Sequence, residues 1–127
     1  MSRIRSRDTG PEKTLRSMLH QVGLRFRLHD KKLPGCPDLV LKKYNTVIFV
    51  HGCFWHRHKG CTNSVLPKTR PDFWKAKLEG NVARDRKNIE ALSIAGWAVI
   101  VVWECELKKS PQEILEIILA KLKAGIQ

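Results

Sequence analysis

An α/β fold, with a mixed central β-sheet flanked by helices, is what this sequence predicts, and three features predict it. The first is a pair of short apolar runs, DLVL and TVIFV, separated by a turn-like KKYN. The second is a long helical stretch leading into WAVIVVW, the most apolar run in the chain. The third is an amphipathic segment near each end. A strand pair followed by a helix and another strand requires a crossover that returns the last strand parallel to a partner in the sheet.

Taken in order, residues 11–22 place Leu15, Met18, Leu19 and Val22 at i, i+3, i+4, i+7, the spacing of one helix face. Asp8 or Thr9 can cap this helix, Pro11 suits its first turn and Gly23 ends it. RFRLHD alternates Phe26 and Leu28 with polar residues, as a half-buried strand does. After the turn LPGCP, DLVL and TVIFV form a strand pair joined by KKYN as a hairpin turn. Residues 52 to 70 are polar and aperiodic, a loop rich in Cys and His. From Pro71, the positions Phe73, Trp74, Lys77, Leu78, Val82, Ile89 and Leu92 follow a helical period, with Gly80 the place where it could break and Gly96 its end. WAVIVVW (97–103) is expected as a central strand, because an apolar run without alternation suits a strand covered on both faces. Pro111 opens a final helix with Ile114, Leu115, Ile118 and Leu122 on one side. The order is α-β-β-β-α-β-α, in one domain of 127 residues with neither internal repeat nor low-complexity linker.

Composition narrows the function. Hydrophobic residues at 43% and charged residues at 28% exclude a disordered or membrane-embedded chain. No apolar run is long enough to span a bilayer, and MSRIRSRDTGPE lacks a signal peptide's apolar stretch, so the expected compartment is the cytoplasm. Twenty-four Lys and Arg against twelve Asp and Glu leave a formal charge of +12, which favours a polyanionic partner, nucleic acid first. The cations cluster at Arg3, Arg5 and Arg7, at Lys68 and Arg70, and at Arg84, Arg86 and Lys87. A monomer is the expected state, since no exposed apolar repeat asks for a partner.

The chemistry concentrates in two places. Pro37-Asp38 stands at the entry to an apolar strand, where Asp38 can cap the preceding turn or ligate Mg²⁺, a hard cation that takes carboxylate and carbonyl oxygens. Glu12, on the first helix, is a candidate second acid behind a metal-bound water, or a first-turn glutamate favoured by the helix dipole. The second place is HGCFWHRHKGC, residues 51–61. Cysteines in a chain without a secretion signal argue for thiols, and His among them argues for zinc, which takes four N or S ligands. Cys53, His58, Cys61 and Cys105 make a Cys₃His set, with Cys105 brought in from the end of WAVIVVW. A three-ligand site with Cys105 in the core, or Cys36 as the fourth ligand, are the alternatives. His56 then remains as a candidate general base with Asp85 to orient it, unless His56 rather than His58 ligates zinc. Phe54 and Trp55 either plug the core or project as wedges into a base stack.

A Pro-Asp followed about ten residues later by a second strand resembles the core of the PD-(D/E)XK nucleases, although the positions of the usual acid and lysine read Val50 and His51. With LPGCPD, VIFVHGCFWH, FWKAKLEGNVARD and GWAVIVVWEC in order, residues 1 to about 107 resemble the very short patch repair (Vsr) endonucleases. The resemblance implies a PD-(D/E)XK fold with a structural zinc site. It implies Mg²⁺-dependent nicking on the 5′ side of the thymine in a T:G mismatch left by deamination of 5-methylcytosine. It further implies Asp38 and the Val50 carbonyl as Mg²⁺ ligands and His56 as the catalytic histidine with Asp85 its partner; Glu12 and His51 are the further candidates for the catalytic set. Cys53, His58, Cys61 and Cys105 become zinc ligands, and Phe54, Trp55 and Trp74 aromatics against the DNA. Met1, Arg3, Lys68, Arg70, Lys77 and Asn81 are the further candidate DNA contacts. The chain departs from the family form in one extra residue between His58 and Cys61, in Cys36 where a basic residue is common, and in a short basic arm, residues 1–8. A zinc-stabilised DNA-binding module without cleavage is the competing expectation, motivated by Val50 and His51.

Overall fold

A computed structural model describes residues 10–53 and 66–125. The elements are α1 (Gly10–Gln21), β1 (Arg27–Leu28), β2 (Leu39–Leu41), β3 (Thr46–His51), α2 (Pro71–Ile94), β4 (Ala98–Trp103), α3 (Glu104–Lys109) and α4 (Pro111–Gly125). The four strands among the described residues form one sheet in the order β1-β2-β3-β4. β1 with β2 and β2 with β3 are antiparallel, while β3 and β4 are parallel, with Thr46 opposite Ala98 and His51 opposite Trp103. The sheet is therefore mixed, and the crossover through α2 returns the chain parallel, as expected.

Side-chain alternation along the strands builds two cores. On one face Leu39, Leu41, Ile48, Ile100 and Val102 pack with Leu15 and Leu19 of α1, Leu107 of α3, and Leu115, Ile118 and Leu122 of α4. On the other, Val40, Val47 and Phe49 pack against Leu92 of α2, with Ile89, Trp97 and Val99 beside them. Because β3 is covered on both faces, almost every residue in it is buried. Fully burying a Leu, Ile or Val side chain stabilises by roughly 1.5–3 kcal/mol, so these two clusters are the main source of fold stability.

Several expectations need correction. WAVIVVW is not central: among the described residues β4 is the last strand in the order, its first residue is exposed, and β3 lies inside the sheet. Its continuous apolarity comes from helices over both faces rather than from strands on both sides. The first strand shrinks to Arg27–Leu28, and Leu28 is 42% exposed while Phe26 packs on the core. Val22 lies beyond the end of α1 and is exposed. KKYN is a 3₁₀ turn over Lys42–Tyr44, closed by Asn45 in the left-handed region, a conformation that Asn tolerates well. α2 runs unbroken through Gly80 and stops at Gly96, whose φ of +97° suits glycine and lets the Trp97 N–H reach back to the Leu92 carbonyl. An unanticipated short helix, α3, follows β4 directly and buries Leu107. Among the described residues, no helix is long and apolar enough to cross a membrane.

Candidate active site

Antiparallel pairing brings the start of β2 beside the end of β3, and Asp38 sits at that junction. Pro37 is fully buried and fixes the entry to β2. The Val50 N–H donates to Asp38 Oδ2 at 2.6 Å, which anchors the carboxylate to the strand end. The Asp38 carbonyl in turn accepts the His29 N–H at 3.2 Å, extending the β1–β2 pairing by one residue. From the other side of the sheet, the first turn of α1 delivers Glu12, only 3% exposed.

Three side chains converge there. His29 Nε2 lies 3.3 Å from Glu12 Oε2 and 3.8 Å from Asp38 Oδ1. Among the described residues, Glu12, His29 and Asp38 are the group whose ligand atoms come close enough to share a metal ion, all within 4.8 Å of one another. The Asp38 carboxyl is pushed up to about 7, first by burial, then by the charge and hydrogen bonding of Glu12, against the opposing pull of the Val50 N–H and the Arg16 guanidinium. Two acidic groups at one buried point favour a proton or a cation between them. A donor set of two carboxylates and an imidazole fits a small divalent cation.

The cluster opens into a cleft of about 450 Å³ lined by Asp38, Val50, His51, Asp85, Cys36 and Asn88 among others. His51, at the end of β3, is buried, with its ring edge-on to Trp103 at 5.2 Å. Asp85 and Asn88 come from the middle of α2. Gly35, with φ +75°, allows that helix to approach, since a Cβ there would stand 3.0 Å from the Asn88 side chain. Thus Glu12, Asp38, Val50, His51 and Asp85, named separately from the sequence, share one end of the sheet.

His29 was missed. It is visible in the sequence only as the tail of RFRLHD, and what makes it a site residue is register. Leu28 pairs with Leu39, so the next position along β1 falls opposite Asp38. Its φ of +45° is unusual for a residue other than glycine.

The remaining candidates divide. Cys53 is buried just after β3, and Cys105 is half-buried in the first turn of α3. The Lys108 ammonium on α3 is raised, chiefly by its hydrogen bond to Glu104 and that group's charge, and the Cys53 sulfur also acts on it. Lys68 and Arg70 are exposed before α2, with the Arg70 guanidinium 4.5 Å from the centre of the Phe73 ring. On α2, Trp74 packs edge-on to Phe73, Lys77 is exposed, and Asn81 accepts a hydrogen bond from Arg84. Met1, Arg3, Phe54, Trp55, His56, His58 and Cys61 lie outside the described residues.

Comparison with known proteins fits this site. Residues 1–63 match the family described as DNA mismatch endonuclease Vsr. The chain is 55% identical over 107 residues to the type II nicking enzyme V.XorIIP of Xanthomonas oryzae, covering 84% of this chain and 78% of that protein. It is 45% identical over 126 residues to the DNA mismatch endonuclease Vsr of Escherichia coli, covering 99% and 80%. The type II nicking enzyme V.NmeAIP of Neisseria meningitidis is 44% identical over 128 residues, covering 99% and 91%. A cleft of this chemistry in a chain this close to DNA-cutting enzymes defines a DNA endonuclease. Within that class, the chain belongs to the Vsr family.

Proposed function

We propose that the protein nicks one DNA strand on the 5′ side of the thymine in a T:G mismatch produced by deamination of 5-methylcytosine, and that it does so with Mg²⁺. The observation that carries the reading is the half-buried Asp38, tied to the end of β3 and backed by the buried Glu12, at the mouth of a cleft. Asp38 and the main-chain carbonyl of Val50 hold the ion. Within a strand, the N–H and C=O of one residue face the same side, and the Val50 N–H faces Asp38. Mg²⁺ supplies charge neutralisation to the phosphate under in-line attack. His56 takes the proton of the attacking water, Asp85 orients that imidazole, and His51 fills the cleft wall against Trp103.

In the same reading Cys53, His58, Cys61 and Cys105 hold a structural zinc. Parallel register supports this, since His51 pairs with Trp103 and Cys53 and Cys105 each stand two residues further on. Phe54, Trp55 and Trp74 press on the bases beside the mismatch, while Met1, Arg3, Lys68, Arg70, Lys77 and Asn81 grip the surrounding DNA. The protein works as a cytoplasmic monomer.

The test is strand-specific nicking of T:G and T:A duplexes that share flanking sequence, with and without Mg²⁺. Mg²⁺-dependent cutting of the thymine strand in the T:G duplex alone is expected. Equal silence on both duplexes with Mg²⁺ overturns the reading. Mismatch binding without nicking in any divalent ion supports instead a zinc-stabilised binding module.

A further inference from the structure

We propose that His29 is a metal ligand in the Asp38 site, so that the site carries a nitrogen donor and prefers Mn²⁺ to Mg²⁺. The proposal rests on the reading of Asp38 as a metal ligand and adds to it a residue from a different strand.

Geometry makes the case. Adjacent ligands on an octahedral ion, each about 2.1 Å from it, stand roughly 3 Å apart. The separations from His29 Nε2 are 3.3 Å to Glu12 Oε2 and 3.8 Å to Asp38 Oδ1, so small side-chain movements close all three on one ion. Nor is His29 a passing surface residue. Its side chain is only 10% exposed, beside Glu12 at 5% and Asp38 at 14%. Its backbone is tied to the Asp38 carbonyl and its φ is +45°. A left-handed conformation is unfavourable at a residue other than glycine, and here it accompanies an imidazole turned toward two acids. In the tautomer with the proton on Nδ1, Nε2 offers a lone pair to the site.

The chemical consequence follows from donor type. Mg²⁺ strongly favours oxygen, whereas imidazole nitrogen favours first-row transition ions. A site of oxygens alone lacks this nitrogen contribution to Mn²⁺ binding. The nitrogen of His29 gives this chain's cleft a reason to take Mn²⁺ first.

Pulsed EPR on the zinc-loaded, untagged full chain tests this with Mn²⁺ as the probe and Mg²⁺ as the competitor. Wild type is expected to bind Mn²⁺ about tenfold or more tighter than Mg²⁺ and to show ¹⁴N modulation on the bound ion. His29→Gln, which keeps side-chain bulk and an oxygen but no ring, is expected to lose the modulation and about tenfold in Mn²⁺ affinity, with Mg²⁺ affinity changed less than about threefold. His29→Ala repeats the measurement with the side chain gone. Modulation that persists in His29→Gln, or unchanged Mn²⁺ affinity, overturns the ligand role of His29 alone. Asp38→Asn separates the two claims: Mn²⁺ binding that does not depend on Asp38 overturns the metal reading, and the proposal with it.

Discussion

Asp38 is held in a way that works against its own charge. Burial is the main cause that lifts its carboxyl to about 7; Glu12 adds to the lift, while the Val50 N–H and Arg16 oppose it. The sign follows from proton linkage. The ordinary value is 3.8, so between about 4 and 7 the folded state binds the proton more tightly than the unfolded chain does. Stability therefore falls as pH rises through that window, and the cost is fully present above about 7. At 1.36 kcal/mol per unit of pKa, that cost is at most roughly 4 kcal/mol. Asp38→Asn keeps an acceptor for the Val50 N–H and removes the charge. In zinc-loaded protein without added Mg²⁺ it is expected to raise the melting temperature at pH 8 and to flatten its pH dependence between 4 and 7. The same variant is expected to lose nicking by about 10³-fold or more while holding mismatch DNA within about threefold of wild-type affinity. Added Mg²⁺ should raise the melting temperature of wild type, increasingly as pH passes 7, and leave the variant unmoved. Equal melting temperatures at pH 8 would show that the carboxylate carries no such penalty.

Elements differ in how far the sequence disclosed them. α1, β2, β3 and α4 were legible because each carries its own period or apolar run, and the buried Leu15, Leu19, Leu115, Ile118 and Leu122 follow it. Sheet order was not legible from composition, since WAVIVVW is apolar for the helices above and below it while lying last in the order. α3 escaped because six residues straight after a strand show less than two helical turns of pattern. The site followed the same division. Asp38, Glu12, Val50, His51 and Asp85 were marked by local motif or resemblance, whereas His29 depends on the pairing of Leu28 with Leu39 across an intervening loop. Gly80 gives this contrast a test. It was the place where α2 could break, yet the helix passes through it, and a Cβ built there meets nothing within 4 Å. Gly80→Ala is therefore expected to stabilise the protein by about 0.5–1 kcal/mol, read as a higher urea midpoint with unchanged slope. A lower midpoint would mean that α2 needs the glycine for a close approach.

At the scale of the molecule, the question is which surface faces the DNA, because a charge of +12 is not confined to one side. β2 supplies an axis. Asp38 precedes its first residue and the exposed Lys42 and Lys43 follow its last, so the three residues of the strand, about 10 Å at the usual rise, separate the cleft from that second basic cluster. Arg25, Arg27, Lys42 and Lys43 line a separate hollow with Tyr44. Lys68 and Arg70 lead instead into α2, whose middle supplies Asp85 and Asn88 to the cleft. If the duplex lies across the cleft, only Lys68 and Arg70 exchange counterions with it. Each phosphate contact contributes about 0.9 to the slope of log affinity against log salt. Lys68→Glu with Arg70→Glu is expected to weaken binding about tenfold or more at low salt and to reduce that slope by about 1 to 2. Lys42→Glu with Lys43→Glu changes the net charge by the same amount and is expected to leave the slope in place, with affinity within about threefold. Because the two double reversals match in charge, equal losses would assign binding to overall charge, and a larger loss at Lys42 and Lys43 would put the duplex at the opposite end of the sheet from Asp38.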